Sequence, residues 1–339
     1  MRTAVILVTF NGWEMTRNCL SDMAAQLTDS EHFVVAIADN ASSDGTVENL
    51  RKEFPTVHVY PSSKNLGFGA ANNLAIKGLL GDKEPFDSIC LLNNDTRFLP
   101  NMLPRLQKAW EKAEAFACES GNAYAVIAPS TKNKDGSDQP NYFAGLGPEG
   151  IGSFKFFTNA LRNEDGAAAI LQGQPSKTAQ ENLLETHWLS GVCWMFDKNL
   201  YDALCNCALE PRTSLRGVAR DDEAIHTFFD ERIFMYYEDA DLALRARKIG
   251  ARFFIANDIT LTHLGGGSAQ SNTSRALQHD RAQQYVFKKH FGLHGLLLSK
   301  AFRILRSSVR IAAAMPRLGS SEKRKYLLHH MALLKAALW

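Results

Sequence analysis

Short apolar runs alternate with amphipathic segments through the first hundred residues, and this alternation constrains the fold more than any other feature. Residues 4–8 and 33–38 are almost entirely apolar, which is typical of strands buried on both faces of a sheet. Between them, residues 13–27 repeat apolar side chains at spacings of three and four, which predicts a helix with one apolar face. Repeated strand–helix–strand units imply a parallel sheet with right-handed crossovers. The sequence therefore predicts an α/β fold with a mostly parallel central sheet.

The same kind of pattern predicts further elements along the chain. Helices are predicted over residues 46–54, 70–80 and 240–249, and strands over 57–60, 88–92, 188–196 and 252–256. Asp44 is predicted to cap the helix that begins at residue 46. Gly250 is predicted to end the third helix, since glycine favours the left-handed backbone found after helices. Between residues 113 and 187 the pattern weakens, so long loops are predicted there and over residues 209–227.

Length and composition set broad limits on the class of protein. A chain of 339 residues holds one large domain, or one domain with an appendage. Its 45% hydrophobic and 22% charged residues are ordinary for a soluble globular protein. The 6 cysteines show no paired spacing, which favours reduced thiols in a cytosol. Residues 4–8 indicate a strand rather than a signal peptide, and no apolar stretch is long enough to span a bilayer.

Charge is distributed unevenly along the chain. The segment 288–339 carries 11 Lys and Arg residues against the single acid Glu322, a balance of +10, whereas the preceding residues carry −8. One face of the predicted tail helix is basic, with Lys300, Arg303, Arg306 and Arg310 at spacings of three, three and four. A basic amphipathic helix is typical of binding to an anionic membrane surface. The alternative is a helix that packs on the main domain and keeps its basic face in solvent.

Three polar clusters lie where strands end or where a helix begins. Residues 39–46 follow the second predicted strand, residues 93–95 follow the fourth, and residues 237–241 open a helix. In an open α/β sheet, ligands bind outside the carboxyl ends of the strands, so the clusters could converge on one cleft. Carboxylates gathered there suit a divalent metal, the hydroxyls of a sugar nucleotide and a general base.

The order of seven short motifs within residues 3–268 is more specific than any one of them. They are Val8-Thr9-Phe10-Asn11, the run from Asp39 to Thr46, Asn65-x-Gly67-Phe68-Gly69-x-x-Asn72-Asn73, Asn93-Asn94-Asp95, Trp188-x-Ser190-Gly191, Phe229-Asp230-Glu231 with Tyr237-Glu238-Asp239-x-Asp241, and His263. This order resembles the inverting glycosyltransferases of family 2, and within them the rhamnosyltransferase-like branch of bacterial surface polysaccharide assembly. The resemblance implies a GT-A fold over residues 1–271, with a nucleotide-binding half (1–96) and an acceptor half (97–271). Residues 272–339 then form a basic helical region.

The resemblance places a nucleotide-diphosphate sugar against the first four motifs. Donor-binding residues are then predicted to be Thr9, Phe10, Asn11, Asp39, Asn65, Gly67, Asn73, Asn93, Asn94 and Asp95. Asp39 is predicted to bind a pyrimidine N–H, because a carboxylate only accepts hydrogen bonds and so selects a base edge that donates. Two structural alternatives stay open, in which Asn11 caps a helix and the loop from Asn65 to Asn73 is a plain connection.

A divalent cation, Mn²⁺ or Mg²⁺, is predicted between Asp95 and His263 and the donor diphosphate. Family members often carry two aspartates at the position of residues 93–95, whereas this sequence keeps only Asp95. One carboxylate, one imidazole, diphosphate oxygens and waters can complete an octahedral ion, and the imidazole favours Mn²⁺. The alternative for His263 is a purely structural role.

The resemblance makes Asp239 the general base, with Glu238 positioning either the acceptor hydroxyl or the base. Neighbouring carboxylates raise each other's pKa, which helps a base to work near neutral pH. Asp241 instead precedes Arg245 by four residues, which predicts an ion pair on one helix face. Three further residues are predicted to line the site between the donor sugar and the acceptor: Trp188, Ser190 and Gly191.

The sequence thus predicts a metal-dependent, inverting transfer of a sugar, L-rhamnose from dTDP-rhamnose or a related UDP-sugar, to a lipid-linked or growing glycan. The protein is expected in the cytoplasm, peripheral on the inner face of the cytoplasmic membrane, with no nucleic-acid partner and with homo-oligomerisation left open. A nucleotidyltransferase of similar topology is one alternative, but it needs a glycine- and arginine-rich loop that residues 9–16 lack. A non-catalytic nucleotide-sugar or glycan-binding module is another, and it would lack the base.

Overall fold

The computed structural model describes residues 1–143, 176–178, 181–206, 227–265, 272–314 and 321–338. The chain divides into two compact units. Unit 1 comprises Met1–Tyr142, Pro175–Phe234 and Glu238–Gly267, and unit 2 comprises Phe143–Gln174, Met235–Tyr237 and Ser268–Trp339. The domain boundary predicted at residue 271 lies outside the described residues.

The elements of unit 1 follow the alternation in the sequence. Its strands are β1 (Thr3–Thr9), β2 (Phe33–Asp39), β3 (His58–Pro61), β4 (Ser88–Leu92), β5 (Thr96–Phe98), β6 (Tyr124–Lys132), β7 (Tyr142–Phe143), β8 (Ser176–Lys177), β9 (Leu183–Thr186), β10 (Trp188–Leu189), β11 (Cys193–Asp197) and β12 (Ala251–His263). Its helices are α1 (Trp13–Asp22), α2 (Ala24–Thr28), α3 (Thr46–Glu53), α4 (Phe68–Gly81), α5 (Met102–Glu119), α6 (Lys198–Asn206) and α7 (Glu238–Lys248).

One large sheet organises unit 1. Its strands are neighbours in the order β3-β2-β1-β4-β11-β6-β12-β9-β8, and β5 pairs with β12. Strands β1 to β4 are parallel, as are β6 and β12. Strand β11 runs antiparallel between β4 and β6, so both parallel groups point the same way. The mostly parallel α/β sheet predicted from the sequence is therefore confirmed.

Burial explains why the central strands read as continuous apolar runs. All seven residues of β2 are buried, because helices cover both faces of the sheet. The core on one face includes Leu7, Ile37, Leu106 and Met195. Trp110 of α5 joins it and donates its indole N–H to the Ala125 carbonyl at 3.1 Å. Among the described cysteines, all are free thiols, as predicted.

The structure differs from the sequence predictions in four elements. Helix α5 and strand β6 lie where no element was predicted. The helix predicted over residues 13–27 is two helices, because the backbone leaves the helical region at Met23. The predicted strand 252–256 extends to His263 as β12, with a register shift between Ala256 and Thr260. The predicted loop 209–227 lies almost wholly outside the described residues.

Unit 2 contains two C-terminal helices, α8 (Asn272–Ala314) and α9 (Ser321–Leu338). Gly292 interrupts α8 with a left-handed φ of 65°, so two helical stretches meet there. Arg303 and Arg310 are only 5% and 9% exposed, which corrects the prediction that the basic stripe faces a membrane or solvent. Apolar side chains are exposed instead, namely Leu293, Leu297, Leu298, Leu305 and Val309. No helix among the described residues has the length and apolarity needed to cross a membrane.

Candidate active site

The polar residues that follow β1, β2 and β4 lie at one edge of the sheet, as parallel pairing requires. Thr9 is paired with Asp39 in the register of β1 and β2. The Thr9 hydroxyl is buried and shares a hydrogen bond of 2.9 Å with the Thr16 hydroxyl. The side-chain amide of Asn94 donates to the Thr16 hydroxyl at 2.9 Å. These bonds fix the ends of β1 and β4 to α1, so Thr9 and Asn94 act first as supports for this edge.

Asp39 has an acceptor that the described residues leave without a partner. Its Oδ2 accepts a hydrogen bond from the Ser42 backbone N–H at 2.9 Å, whereas its buried Oδ1 has no hydrogen-bond partner. A buried, unpaired carboxylate oxygen is costly unless a ligand supplies a donor. Phe10 lies next to Thr9 at the same strand end and exposes 48% of its surface. Asp39 can therefore accept a hydrogen bond from an N–H of a nucleobase, and Phe10 can offer its ring face to the same nucleobase.

Asn11 pins the loop that follows β2. Its Oδ1 accepts from the Ser43 backbone N–H at 2.7 Å, and its own N–H donates to the Ser42 hydroxyl at 2.8 Å. Its φ of 48° is in the left-handed region that asparagine tolerates better than most residues. Asp44 accepts from the Thr46 N–H at 3.2 Å, although Gly45 occupies the cap position of α3. The predicted cap therefore makes its bond from one residue further out.

The loop before α4 is held by Asn40, a buried residue that the sequence analysis did not single out. Its side-chain amide donates to the Gly67 carbonyl at 3.0 Å and accepts from the Leu66 N–H at 3.1 Å. Asn65 accepts from the Gly67 N–H at 2.9 Å. Gly67 has a φ of +83°, and a Cβ there would lie 2.0 Å from the Phe234 carbonyl oxygen. Gly67 is thus required for a close approach of two chain segments.

Asn73 uses its whole side chain inside the protein. Its amide donates to the Phe229 carbonyl at 2.9 Å and to the Glu231 carboxylate at 3.0 Å, and it accepts from the Phe229 N–H at 2.9 Å. Both hydrogens of the side-chain amide are therefore used within the protein. These bonds fix the segment that includes Phe229, which gives Asn73 a supporting role. The donor contact of Asn73 stays a prediction.

Asp95 and His263 are brought together by the pairing of β5 with the end of β12. His263 is opposite Thr96 in that register, and the Leu264 N–H donates to the Asp95 carbonyl at 2.8 Å. The His263 Nε2 lies 3.3 Å from Asp95 Oδ1. Its Nδ1 lies 3.0 Å from Oε1 of Gln139, an oxygen that only accepts. Nδ1 therefore carries a proton, and Nε2 faces the carboxylate.

This arrangement fits a cation between Asp95 and His263. A neutral imidazole with its proton on Nδ1 directs the lone pair of Nε2 at the Asp95 oxygen, and a cation would relieve that repulsion. Nitrogen and carboxylate oxygen together suit Mn²⁺, and a hydrogen bond to the other ring nitrogen commonly orients a ligating histidine. The competing arrangement is a direct ion pair with a doubly protonated His263. The described residues contain no group of three or more His, Cys, Asp or Glu that could hold a metal, so a bound cation would need ligands from the substrate or water.

Glu238 and Asp239 begin α7, where the sequence placed them. Asp239 Oδ2 accepts from the Gly191 N–H at 3.1 Å, and its Oδ1 accepts from the Ala240 N–H at 2.7 Å. Glu238 is 8% exposed, and its buried Oε2 has no hydrogen-bond partner among the described residues. The two adjacent carboxyl groups thus differ, since one is anchored by backbone N–H groups and the other is not.

Burial separates the protonation states of this pair. It raises the pKa of Glu238 to about 8, with a further contribution from the neighbouring Asp239 charge. It raises the pKa of Asp239 to about 6, although backbone N–H groups of Ala240 and Gly191 oppose the rise. Between these values Asp239 is ionised and Glu238 is protonated, so the pair carries one negative charge. A carboxylate in this range can accept a proton at neutral pH.

The segment that contains Trp188, Ser190 and Gly191 faces the start of α7. Gly191 supplies the N–H that anchors Asp239, and the Ser190 carbonyl accepts from the Trp194 indole at 2.7 Å. Trp188 is buried in β10, so little of its ring is available to an acceptor sugar. Asp241 makes the predicted ion pair with Arg245 at 3.0 Å, which confirms a structural role for that carboxylate.

Comparison with known proteins places these features in a family. The family model described as "Glycosyl transferase family 2" matches residues 4–204. A relative from Mycobacterium tuberculosis named N-acetylglucosaminyl-diphospho-decaprenol L-rhamnosyltransferase is 25% identical over 327 residues, which cover 90% of this chain and 94% of that protein. A Bacillus subtilis protein named uncharacterized glycosyltransferase YfnE is 24% identical over 285 residues, which cover 78% of this chain and 64% of that protein.

A solved structure supports the fold alone. A mannosyltransferase from Pyrobaculum calidifontis, in complex with GDP-Man and Mn²⁺, aligns with a TM-score of 0.50 at 13% identity, covering 99% of this chain and 86% of that one. The predicted resemblance and GT-A fold are therefore confirmed. The family match spans β1 through most of α6 and so includes the ends of β1, β2 and β4. This chain belongs to glycosyl transferase family 2 and is a glycosyltransferase with a GT-A fold.

Proposed function

We propose that the protein transfers L-rhamnose, or a related sugar, from a dTDP- or UDP-linked donor to a hydroxyl of a lipid-linked acceptor, with inversion at the anomeric carbon. The observation that carries this proposal is the pair of adjacent carboxyl groups at the start of α7. Glu238 is buried with an oxygen unpaired among the described residues, whereas the part-buried Asp239 is anchored by N–H groups. The name of the mycobacterial relative, which is similar along 90% of this chain, supports the sugar and the acceptor class.

Asp239 would act as the general base in one displacement step. The acceptor hydroxyl transfers its proton to the Asp239 carboxylate while its oxygen bonds to the anomeric carbon. The bond from that carbon to the diphosphate oxygen breaks on the opposite face, and the diphosphate leaves with the bonding electrons. Glu238, protonated at neutral pH because burial raises its pKa to about 8, can donate a hydrogen bond to the acceptor or to Asp239.

Asp39 and Phe10 would hold the pyrimidine base. The unpaired Oδ1 of Asp39 accepts the base N–H, and the exposed Phe10 ring supplies an apolar face. Thymine and uracil present the same N–H, so these contacts suit dTDP- and UDP-sugars alike. Asn93, whose Oδ1 is also buried without a partner, would complete the polar floor of this part of the site.

Asp95 and His263 would bind a divalent cation, with Mn²⁺ favoured by the imidazole nitrogen. When bound, such a cation stabilises the negative charge that develops on a departing diphosphate. Gln139 would keep His263 in the tautomer that leaves Nε2 free for the cation.

Unit 2 would bring the enzyme to the membrane that contains its acceptor. Exposed apolar residues of α8 lie at positions 293, 297, 305 and 309, which are separated by multiples of four, and this makes one stripe along the helix. Lys288, Arg324 and Lys325 are exposed in the same unit and could meet anionic headgroups. The apolar stripe, rather than the buried arginines, would enter the bilayer interface.

The decisive experiment measures transfer directly. The purified protein is incubated with dTDP-rhamnose, UDP-rhamnose, UDP-GlcNAc or GDP-mannose and with a short-chain N-acetylglucosaminyl diphosphoprenol, with Mn²⁺ or with EDTA. We expect Mn²⁺-dependent transfer from a pyrimidine-linked donor and none from the guanine-linked one. Transfer from GDP-mannose would contradict the assignment of a pyrimidine nucleotide to the donor. Full activity in EDTA would contradict the proposed dependence on a metal ion.

A further inference from the structure

Two consecutive tyrosines have an unusual backbone immediately before the carboxyl pair. Tyr236 and Tyr237 have φ values of 69° and 62°, in the left-handed region that bulky L-residues rarely adopt. Such strain persists only where surrounding contacts determine it, and it is found most often at functional sites. The next residue, Glu238, begins α7, so this turn sets the direction in which the chain enters that helix.

The contacts of Tyr237 within unit 2 explain how the turn is held. The Gln283 side-chain amide donates to the Tyr237 hydroxyl at 2.6 Å, and both groups are buried. The rings of Tyr236 and Tyr237 lie 5.7 and 4.9 Å from the ring of His279, one helical turn before Gln283. Burial and nearby arginines lower the pKa of His279 to about 3, so its ring is neutral at working pH.

Gln283 is itself fixed from the second stretch of α8. Its Oε1 accepts from the Arg303 guanidinium and from the Ser299 hydroxyl, the latter at 3.3 Å. Arg303 also pairs with Asp280, which places the Gln283 amide in one orientation. A chain of hydrogen bonds therefore runs from Asp280 through Arg303 and Gln283 to the hydroxyl of Tyr237.

We propose that Gln283 is a positioning residue for glycosyl transfer: through the Tyr237 hydroxyl it holds the left-handed turn from which Glu238 and Asp239 follow. The proposal rests on the base role proposed above for Asp239. Loss of the bond would let the turn relax towards ordinary backbone angles and move the start of α7. Asp239 would then lose alignment with the acceptor, whereas the donor contacts at Asp39 and Asp95 would stay in place.

The test compares Gln283→Leu with Gln284→Leu, the same change at the next residue of α8, which is half-buried. We expect Gln283→Leu to lower kcat by roughly tenfold or more, since small misplacements of reacting groups have effects of this size. The KM for the donor should be unchanged. The acidic limb of the kcat profile should move to lower pH, because water reaching Asp239 lowers a pKa that burial raises. Among the described residues, the groups next to the Asp239 carboxylate are Glu238 and the N–H groups of Gly191 and Ala240. Neither Gln283→Leu nor Gln284→Leu changes any of these groups.

Two further variants separate positioning from folding. Gln283→Glu should stay near wild type, because a carboxylate accepts from both the Tyr237 hydroxyl and Arg303. Tyr237→Phe keeps the ring and removes only the oxygen, so it should reproduce the kcat loss and the limb shift while the Tm stays close to that of the wild type. If Tyr237→Phe and Gln283→Leu both keep the wild-type kcat and acidic limb, the proposal is wrong. If Asp239→Asn also keeps wild-type activity, Asp239 is not the general base. This result is distinguishable from failure of the Gln283 proposal alone, in which Asp239→Asn is inactive.

Discussion

At the scale of single residues, the start of α7 shows how neighbours of the same type acquire different chemistry. Asp239 accepts two backbone N–H bonds, which favour its ionised form. Glu238 is buried with an unpaired oxygen, which favours its protonated form. Asp241, two residues further along, is occupied by Arg245. Environment rather than residue type therefore favours Asp239 for the proposed role of general base.

Asp239→Asn should abolish transfer while leaving donor binding intact. The amide keeps the size of the carboxylate but cannot accept the proton of the acceptor hydroxyl, so turnover should fall by roughly two or more orders of magnitude. Steady-state transfer rates and titration with the nucleotide diphosphate measure the two effects separately. Near-normal turnover would exclude Asp239 and move the role to Glu238.

The raised pKa of Glu238 makes a prediction about stability. Its pKa in the folded protein is about 8, against 4.5 for an ordinary glutamate, so the folded state retains a proton that the unfolded state loses. This favours folding below pH 4.5 and the advantage is lost as pH rises towards 8. Glu238→Gln removes this dependence, so the variant should gain Tm relative to the wild type at pH 8 and not at pH 4. Parallel Tm profiles of the two proteins would contradict the assignment.

Two interpretations of the pair Asp95 and His263, a metal site and a direct ion pair, predict different results. If a cation links them to the donor, Asp95→Ala should remove the Mn²⁺-dependent part of donor binding, and EDTA should inhibit the wild type. A direct ion pair would give donor binding that is indifferent to Mn²⁺ and to EDTA. Calorimetric titration of the nucleotide diphosphate with and without Mn²⁺ decides between them, with Asp258→Ala as a control carboxylate on the exposed surface.

At the scale of elements, the loop before α4 depends on one glycine. Gly67→Ala places a methyl group 2.0 Å from the Phe234 carbonyl oxygen at a φ of +83°. We expect a loss of about 3 kcal/mol or more in the free energy of unfolding, from backbone strain and overpacking together. Gly81→Ala is the matched control, because a Cβ there meets nothing within 4 Å and alanine favours the helix. Urea unfolding measures both, and equal midpoints would show that the loop moves without cost.

The elements also show what the sequence could predict. Strands β1, β2 and β4 are buried on both faces, so their apolar runs marked them within about one residue. Helix α5 was not predicted, although its buried side chains recur at spacings of three and four and Pro104 lies in its first turn, where proline is tolerated. The strand predicted to end at residue 256 continues as β12 beyond a register shift. This continuation depends on pairing with β6 and not on local sequence.

The candidate site was predictable where its residues follow a strand end or begin a helix. Asp39, Asp95 and Asp239 were marked by their place in ordered motifs, and the approach of Asp95 to His263 agrees with that expectation. Gln139 was missed, because it meets His263 across a separation of 124 residues and belongs to no local pattern. The supporting roles of Asn73 and Gly67 were also missed, since only the packed structure shows that the Phe229–Phe234 segment uses their polar atoms and space.

At the scale of the whole molecule, the charge asymmetry of the sequence has a different meaning from the one first inferred. The basic tail was predicted to present Arg303, Arg306 and Arg310 outward. Arg303 and Arg310 are buried, and Arg303 pairs with Asp280 inside unit 2. Polar groups thus stabilise the interior of this unit, while leucines lie on its surface. An exterior of this kind is expected where a helix meets lipid rather than water.

The membrane binding proposed for unit 2 should therefore depend on leucines more than on arginines. Leu297 and Leu305 are 54% and 41% exposed, and inserting each into a bilayer interface contributes roughly 1 to 2 kcal/mol. The double variant Leu297→Ser, Leu305→Ser should reduce sedimentation with vesicles roughly tenfold or more, whether the lipids are neutral or anionic.

The double variant Arg324→Gln, Lys325→Gln is the control and should weaken binding only to anionic vesicles at low salt, since each exposed charge contributes about 1 kcal/mol there. If the leucine variant sediments like the wild type, lipid does not cover the stripe. A wild-type dimer that the leucine variant loses in light scattering would then identify the stripe as a contact between copies of the chain.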